Sequence, residues 1–276
     1  MIKTSEKIPV YDSAELVSPF VEEIKGLKSH WFVLRRMIHT NFKIRYKRSY
    51  LGIVWSLLNP LLNMLVYVIV FSSLFNRVEH YALYVLCGNM IFKFFSTSTK
   101  ESMVQIIRSA TMIRRVFIPK TIYVLAGIGI NGVDLILTFI PFLLIAVFDR
   151  LNFSFNIFLI IPALILCSAF VIGISLIVAT ITPFVNDFSQ LWSVILTLWQ
   201  YLTPIFYPID IIPEKLLFFY KLNPLYIYVT LFRDSVLNPS GTHPVLWIAG
   251  TIYGVVFLII GWWLFTKNSN EFAYRA

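Results

Sequence analysis

Residues 45–75 read RYKRSYLGIVWSLLNPLLNMLVYVIVFSSLF, and the join between a basic cluster and an apolar run in this stretch decides the fold class. The run from Gly52 to Leu74, about 23 residues, carries no charge, and at about 1.5 Å per helical residue it covers the roughly 30 Å of a bilayer's hydrocarbon. Asn59, Pro60 and Asn63 interrupt it, so it is more than a plain anchor. The whole chain agrees, with 58% hydrophobic and only 13% charged residues, the balance of a membrane protein. A net charge of +9 suits either nucleic acid or anionic lipid. The cations gather beside apolar spans rather than on a soluble face, so membrane lipids are the expected partner and nucleic acid is not. Cys87 and Cys167 fall in apolar segments without metal-ligand spacing and read as packing residues.

Upstream of the decisive stretch, residues 1–26 lack sustained periodicity and the apolar core of a cleaved signal, and read as a mobile cytoplasmic leader. Residues 27–50 change character. Leu27, Trp31, Leu34, Ile38 and Phe42 recur at helical spacing, while Arg36, His39, Lys43 and Lys47 gather on the opposite face. That pattern predicts an amphipathic helix lying in the headgroup region, with Trp31 at the depth its ring prefers.

Downstream, apolar segments alternate with short polar turns across one transmembrane domain, 51–276. The predicted fold is an all-α integral membrane protein with six transmembrane helices, an N-terminal amphipathic interface helix and short re-entrant helices before the last span. The spans are expected at about 52–75, 81–107, 122–148, 155–181, 191–206 and 245–265, with the re-entrant region at 208–244. There, Leu216 to Leu222 and Leu225 to Leu237 are each too short to cross, and Asn223-Pro224 divides them. Of 23 Lys and Arg, 17 lie in segments that an inside N-terminus places inside; five, including Arg233, fall outside and Lys93 sits within a span. This bias predicts a multi-pass protein with both termini in the cytoplasm.

The chain contains no GxxxxGK[ST] phosphate loop, so ATP hydrolysis by that route is excluded. Gly127-Ile128-Gly129-Ile130-Asn131-Gly132 matches GxGxxG but lies inside an apolar span, where close helix packing by small residues explains it. With 14 acidic residues and no Asp-x-Asp, the chain does not read as a lipid-linked sugar transferase or another enzyme. Lys93 and Asp134 are charges at bilayer depth, where each costs at least a few kcal/mol. They are expected to pair with one another, to line a hydrated path, or to relay a proton. Trp192, Trp199, Tyr201, Phe206 and Tyr207 crowd around the fifth span, and Tyr67 and Phe71 occupy the outer half of the first. Aromatic faces stack on the C–H faces of sugars, so these residues, with Lys93 and Asp134, are the expected lining of a polysaccharide channel.

Arg45, Tyr46, Ser49, Leu51, Gly52, Trp55 and Pro60 fit the pattern R-Y-x-x-S-x-L-G-x-x-W-x-x-x-x-P. Tyr84 to Gly88, Ser109 to Lys120 and Leu222-Asn223-Pro224-Leu225 follow in order. Together they resemble the ABC-2 type polysaccharide export permeases over about residues 30 to 270. The resemblance implies a homodimeric permease of the cytoplasmic (inner) membrane. A separate nucleotide-binding ATPase subunit would carry Mg-ATP, with no cofactor in this chain. The implied cargo is an undecaprenyl diphosphate-linked polysaccharide such as O-antigen, capsule or teichoic acid. It further implies a substrate portal at Arg35, Arg36, Lys43, Arg45 and Arg48, whose guanidinium groups suit a diphosphate. ATPase coupling would fall on Ser109, Met112, Arg114, Arg115, Phe117, Pro119 and Lys120. Lys93 departs from the family, which more often has an apolar or aromatic residue there. An exporter of a drug or small lipid, and a proton-coupled transporter resting on Lys93 and Asp134, are the competing readings.

Overall fold

In a computed structural model of the chain, the described residues are 19–47, 52, 54–72, 75, 78–115, 118–151, 154–238 and 243–272. The expected leader mostly lies outside them. Its end does not, and is corrected: Pro19–Ser29 is a helix, α1. A proline at the first helical position costs nothing there, because its missing N–H would be unpaired anyway. The interface helix is likewise shorter than expected, α2 spanning Trp31–Tyr46 after a break at His30. Its apolar face does not rest on lipid alone: Leu34 is buried against Ile122 and Ala126, with Leu27 and Ile38 packed beside it. Trp31, at 60% exposure, points away from that contact.

Gly52 takes a left-handed backbone (φ 46°), a conformation that favours glycine, just before α3 at Val54–Phe71. Next come α4 at Tyr81–Arg108, a six-residue α5 at Ala110–Arg115, and α6 at Thr121–Phe148. A 3₁₀ turn at Phe155–Leu159 leads into α7 at Ile160–Ile181. The remaining helices are α8 at Phe188–Tyr201, α9 at Glu214–Lys221, α10 at Pro224–Leu237 and α11 at Pro244–Asn268. No strand occurs among the described residues.

Among the described residues, four helical segments are long and apolar enough to cross a bilayer: Val54–Phe71, Thr121–Phe148, Phe155–Ile181 and Pro244–Asn268. The helix α4 is long but too polar to stand in lipid, and the fold places it centrally, against α3, α6, α7, α8 and α10. Cys87 and Cys167 are buried, as packing residues should be. The closest helix pair is α7 with α11. A Cβ at Gly173 would overlap the backbone of Phe257, and one at Gly261 would overlap Gly173. Such contact between backbones substitutes for a hydrophobic driving force that lipid does not supply.

The expected fifth span, 191–206, is corrected at both ends: α8 begins at Phe188 and stops at Tyr201. Pro204 disfavours helical geometry for Thr203, so the chain leaves the helix there. The irregular stretch that follows must still satisfy its carbonyls where water is scarce. Asn223 donates to Leu202, Arg233 to Pro204 and Ile205 at 2.7 Å each, Tyr81 to Phe206 at 2.7 Å, and Tyr84 to Tyr207 at 3.1 Å. Arg233, counted from sequence as an outer-loop charge, is in fact 6% exposed, with its guanidinium over the Tyr84 ring. With a third bond from Nε to the Tyr84 carbonyl at 3.0 Å, its three carbonyl bonds need a planar, five-donor group, which a lysine would not replace.

Candidate functional site

Two concave features flank the last turns of α2. One is a groove lined by Arg36, His39, Thr40, Phe42, Lys43, Ile44, Tyr46, Lys47 and Gly52, with a volume of about 680 Å³. It holds three permanent cations and no carboxylate. Helical spacing explains the grouping, since residues three and four apart share a face. Of the expected portal residues, Arg36 and Lys43 meet here, joined by Lys47. Arg35 is exposed but lines neither feature, and Arg48 lies outside the described residues.

The other is a cavity of about 360 Å³ among α2, α3, α4 and α6. Arg45 turns into it, away from the groove. Its Nη1 donates to Asp134 Oδ2 at 2.7 Å and to Asn131 Oδ1 at 3.2 Å, and Nη2 reaches Glu101 Oε2 at 3.4 Å. Tyr46 donates to the other Asp134 oxygen at 2.8 Å, and Gln105 donates to Glu101 Oε1 at 3.0 Å. A guanidinium held by two carboxylates is not an open phosphate fork, which corrects the portal role expected of Arg45. It ties the end of α2 to α4 and α6 instead. Of the three roles expected for Lys93 and Asp134, direct pairing is not what the structure shows. Arg45 takes that carboxylate, and the Lys93 ammonium makes no hydrogen bond or ion pair among the described residues. Glu101, Asn131 and Tyr46 were missed from sequence. Glu101 stands alone among the carboxylates between Tyr81 and Gly132, and that isolation inside a long helix was the signal available.

The glycine motif does what packing predicts at two of its three positions. A Cβ at Gly127 would press on Glu101 and Gln105 at 3.2–3.3 Å, and one at Gly129 would overlap Ile38 of α2. Gly132 has nothing within 4 Å. These two glycines let α4 and α2 approach α6 closely enough for Arg45 to reach both carboxylates.

The expected channel residues divide among three places. Lys93 and Asp134 line the cavity, Trp192 and Trp199 lie along α8, and Tyr67, Phe71, Tyr201, Phe206 and Tyr207 lie around the loop after it. Tyr67 packs on Phe206 with ring centroids 4.2 Å apart, and Phe71 stacks on Phe206 at 6.4 Å. Trp192 is buried and donates to Thr99 at 3.0 Å, and Trp199 donates to Asn223 at 2.9 Å. These two indoles belong to the core of the chain. Tyr201 is 64% exposed, and its carbonyl accepts from Tyr207.

At the other end, the expected coupling segment also separates. Ser109 and Ile113 are buried, while Met112 and Arg115 project from α5. Lys120 donates to the Ser269 carbonyl, and Pro119 packs against Gly26, so both serve contacts within the chain. Phe117 and the Arg114 side chain lie outside the described residues. Among the described residues no His, Cys, Asp and Glu group is arranged to hold a metal.

Comparison with known proteins adds an independent line. The family model for ABC-2 type transporters matches residues 33–237. An O-antigen export system permease protein RfbA of Klebsiella pneumoniae is 28% identical over 239 residues, covering 84% of this chain and 90% of that protein. The protein of the same name from Myxococcus xanthus is 24% identical over 256 residues, covering 91% and 97%. The capsule polysaccharide export inner-membrane protein CtrC of Neisseria meningitidis is 22% identical over 205 residues, covering 72% and 76%.

Proposed function

Because the chain belongs to the ABC-2 type transporter family, we propose that it is the permease subunit of an ATP-driven exporter that moves a lipid-linked polysaccharide across the cytoplasmic membrane. The observation that carries this reading is the carboxylate-free groove of Arg36, Lys43 and Lys47 on a helix docked against the spans. Such a groove suits the diphosphate of an undecaprenyl-linked glycan arriving at the inner headgroup layer. Names of the relatives, which export O-antigen and capsule, support polysaccharide over a drug or small lipid. Asp134, engaged by Arg45 and Tyr46, fits a tie between helices better than a proton relay.

In this reading six helices cross: α3, α4, α6, α7, α8 and α11, with α9 and α10 re-entrant on the outer side and both termini inside. Two copies form the permease. Mg-ATP sits on a separate nucleotide-binding subunit, which engages Met112 and Arg115 at the exposed tip of α5. The aromatic cluster of Tyr67, Phe71 and Phe206 lies in the outer half, where a sliding sugar chain would leave.

Reconstitution with the ATPase subunit in proteoliposomes tests the reading. ATP-dependent translocation of lipid-linked polysaccharide is expected. Replacing Arg36, Lys43 and Lys47 together by alanine should slow it by about tenfold or more, since each lost charge-assisted contact is worth about 1.5–3 kcal/mol. Absence of any ATP-driven polysaccharide movement in the unsubstituted protein would sink the proposal, and an unaffected triple variant would remove the groove from it.

A further inference from the structure

Within the cavity, two polar side chains of α4 are left without a hydrogen-bond partner among the described residues. Asn89 and Lys93 stand four residues apart, so they stack along a single face about 6 Å apart, while Thr97 one turn further on is satisfied by donating to the Lys93 carbonyl at 2.7 Å. Asn89 is only 8% exposed, yet its side-chain amide makes no hydrogen bond among the described residues. One turn on, the Lys93 ammonium is equally unpartnered. The acceptors that would ordinarily quench it are occupied: Asp134 by Arg45 and Tyr46, Glu101 by Arg45 and Gln105. Counting Arg45, Lys93 and Lys100 against Glu101 and Asp134, the cavity lining keeps an excess positive charge. Trp55, Pro60, Met90 and Phe94 supply low-dielectric walls, in which a cation without an ion-pair partner attracts anions strongly.

We propose that Asn89 and Lys93 form an anion seat for a phosphate group, separate from the groove on α2, with the Arg45 bridge engaging the two carboxylates that share the cavity. The ammonium supplies charge and the amide N–H₂ supplies direction, the division of labour expected of a lysine-based phosphate site. The phosphate has two chemically equivalent sources, a free anion from solution or the headgroup of a lipid entering beside α3. That the lipid is the transported carrier rests on the export reading above.

Binding to the purified permease, measured by calorimetric titration, tests the seat directly. Inorganic pyrophosphate is titrated into protein in nanodiscs of phosphatidylcholine, and undecaprenyl diphosphate is compared with uncharged undecaprenol as the lipid arm. Lys93→Met should weaken binding by about tenfold or more, Lys93→Arg should stay within about threefold, and Asn89→Leu should fall between them. Dependence on Lys93 in the pyrophosphate arm supports a seat open to solution. Such dependence in the lipid arm alone supports a seat reached through the membrane. Equal binding by the wild type and Lys93→Met, or no preference for the diphosphate over undecaprenol together with no pyrophosphate binding, overturns it. Lys93→Met removes an unpaired charge and should be at least as heat-stable as the wild type; a marked loss of stability would instead show a structural lysine. Lys93-dependent binding by a protein that translocates no polysaccharide would uphold the seat and defeat the export reading.

Discussion

Arg45 decides how the charges at membrane depth are shared, and it does so from 89 positions away from its partner Asp134. Both side chains keep some exposure, 31% and 20%, so the bridge is weaker than a fully buried one. Replacing Arg45 by Met should lower the unfolding free energy of the solubilised protein by about 1–3 kcal/mol, and adding Asp134→Asn should recover part of it. Additive losses in that cycle would show no coupling. Charge and depth were legible in the sequence for Lys93 and Asp134, but their partners were not, because pairing depends on how α2 lies against α6. A second residue tests the inner end. Burial holds the Glu23 carboxyl above its usual value, opposed by the hydrogen bond from Thr121 and the charge of Lys120. A raised acid favours the fold while protonated, so its contribution is complete at low pH and lost as pH rises through the folded value. Glu23→Gln keeps an acceptor for Thr121 without the charge. It should therefore melt higher than the wild type at about pH 8, with the difference closing near pH 4; a constant difference would refute this.

Among the elements, α2 and α6 show what periodicity reveals and what it hides. The apolar stripe of α2 was plain in the sequence, but the surface it covers is protein as well as lipid, and a stripe looks the same against either. Gly129→Leu should displace Ile38 and loosen α2, costing about 1–3 kcal/mol, whereas Gly132→Leu has open space and should leave stability unchanged. Comparable losses from both would mean that α2 is not seated through Gly129. The helix α8 was legible as an apolar element with a proline stop. The carbonyl partners of the loop behind it were not, because Tyr81, Tyr84, Asn223 and Arg233 come from two separate stretches of chain. For α5, Ser109 is buried while Met112 and Arg115 project, and the export reading assigns the ATPase contact to the latter pair. Met112→Glu with Arg115→Glu should weaken co-purification of the ATPase by about tenfold or more, with the permease still folded. Undiminished co-purification would move the contact elsewhere.

At the scale of the molecule, the question that hydropathy leaves open is whether α4 crosses. Its Lys93, Lys100 and Glu101 make it too polar to count as a span by composition, and yet neighbours cover it on nearly every side. A helix shielded by α3, α6, α7, α8 and α10 need not be apolar to lie within a bilayer, because its polar face meets the cavity rather than lipid. Its 28 residues reach about 42 Å, more than the hydrocarbon needs. The two topologies place α5 on opposite sides. If α4 crosses, α5 is cytoplasmic beside the ATPase; if it does not, α5 faces outward and every later segment up to α8 is inverted. Single cysteines at Arg115 and Arg150, made after replacing Cys87 and Cys167 by alanine, separate these cases with a membrane-impermeant thiol reagent. In sealed cells Arg150→Cys should label and Arg115→Cys should label only after permeabilisation. Labelling of Arg115→Cys from outside, with Arg150→Cys protected, would show that α4 turns back, and would take the coupling tip out of reach of any cytoplasmic ATPase.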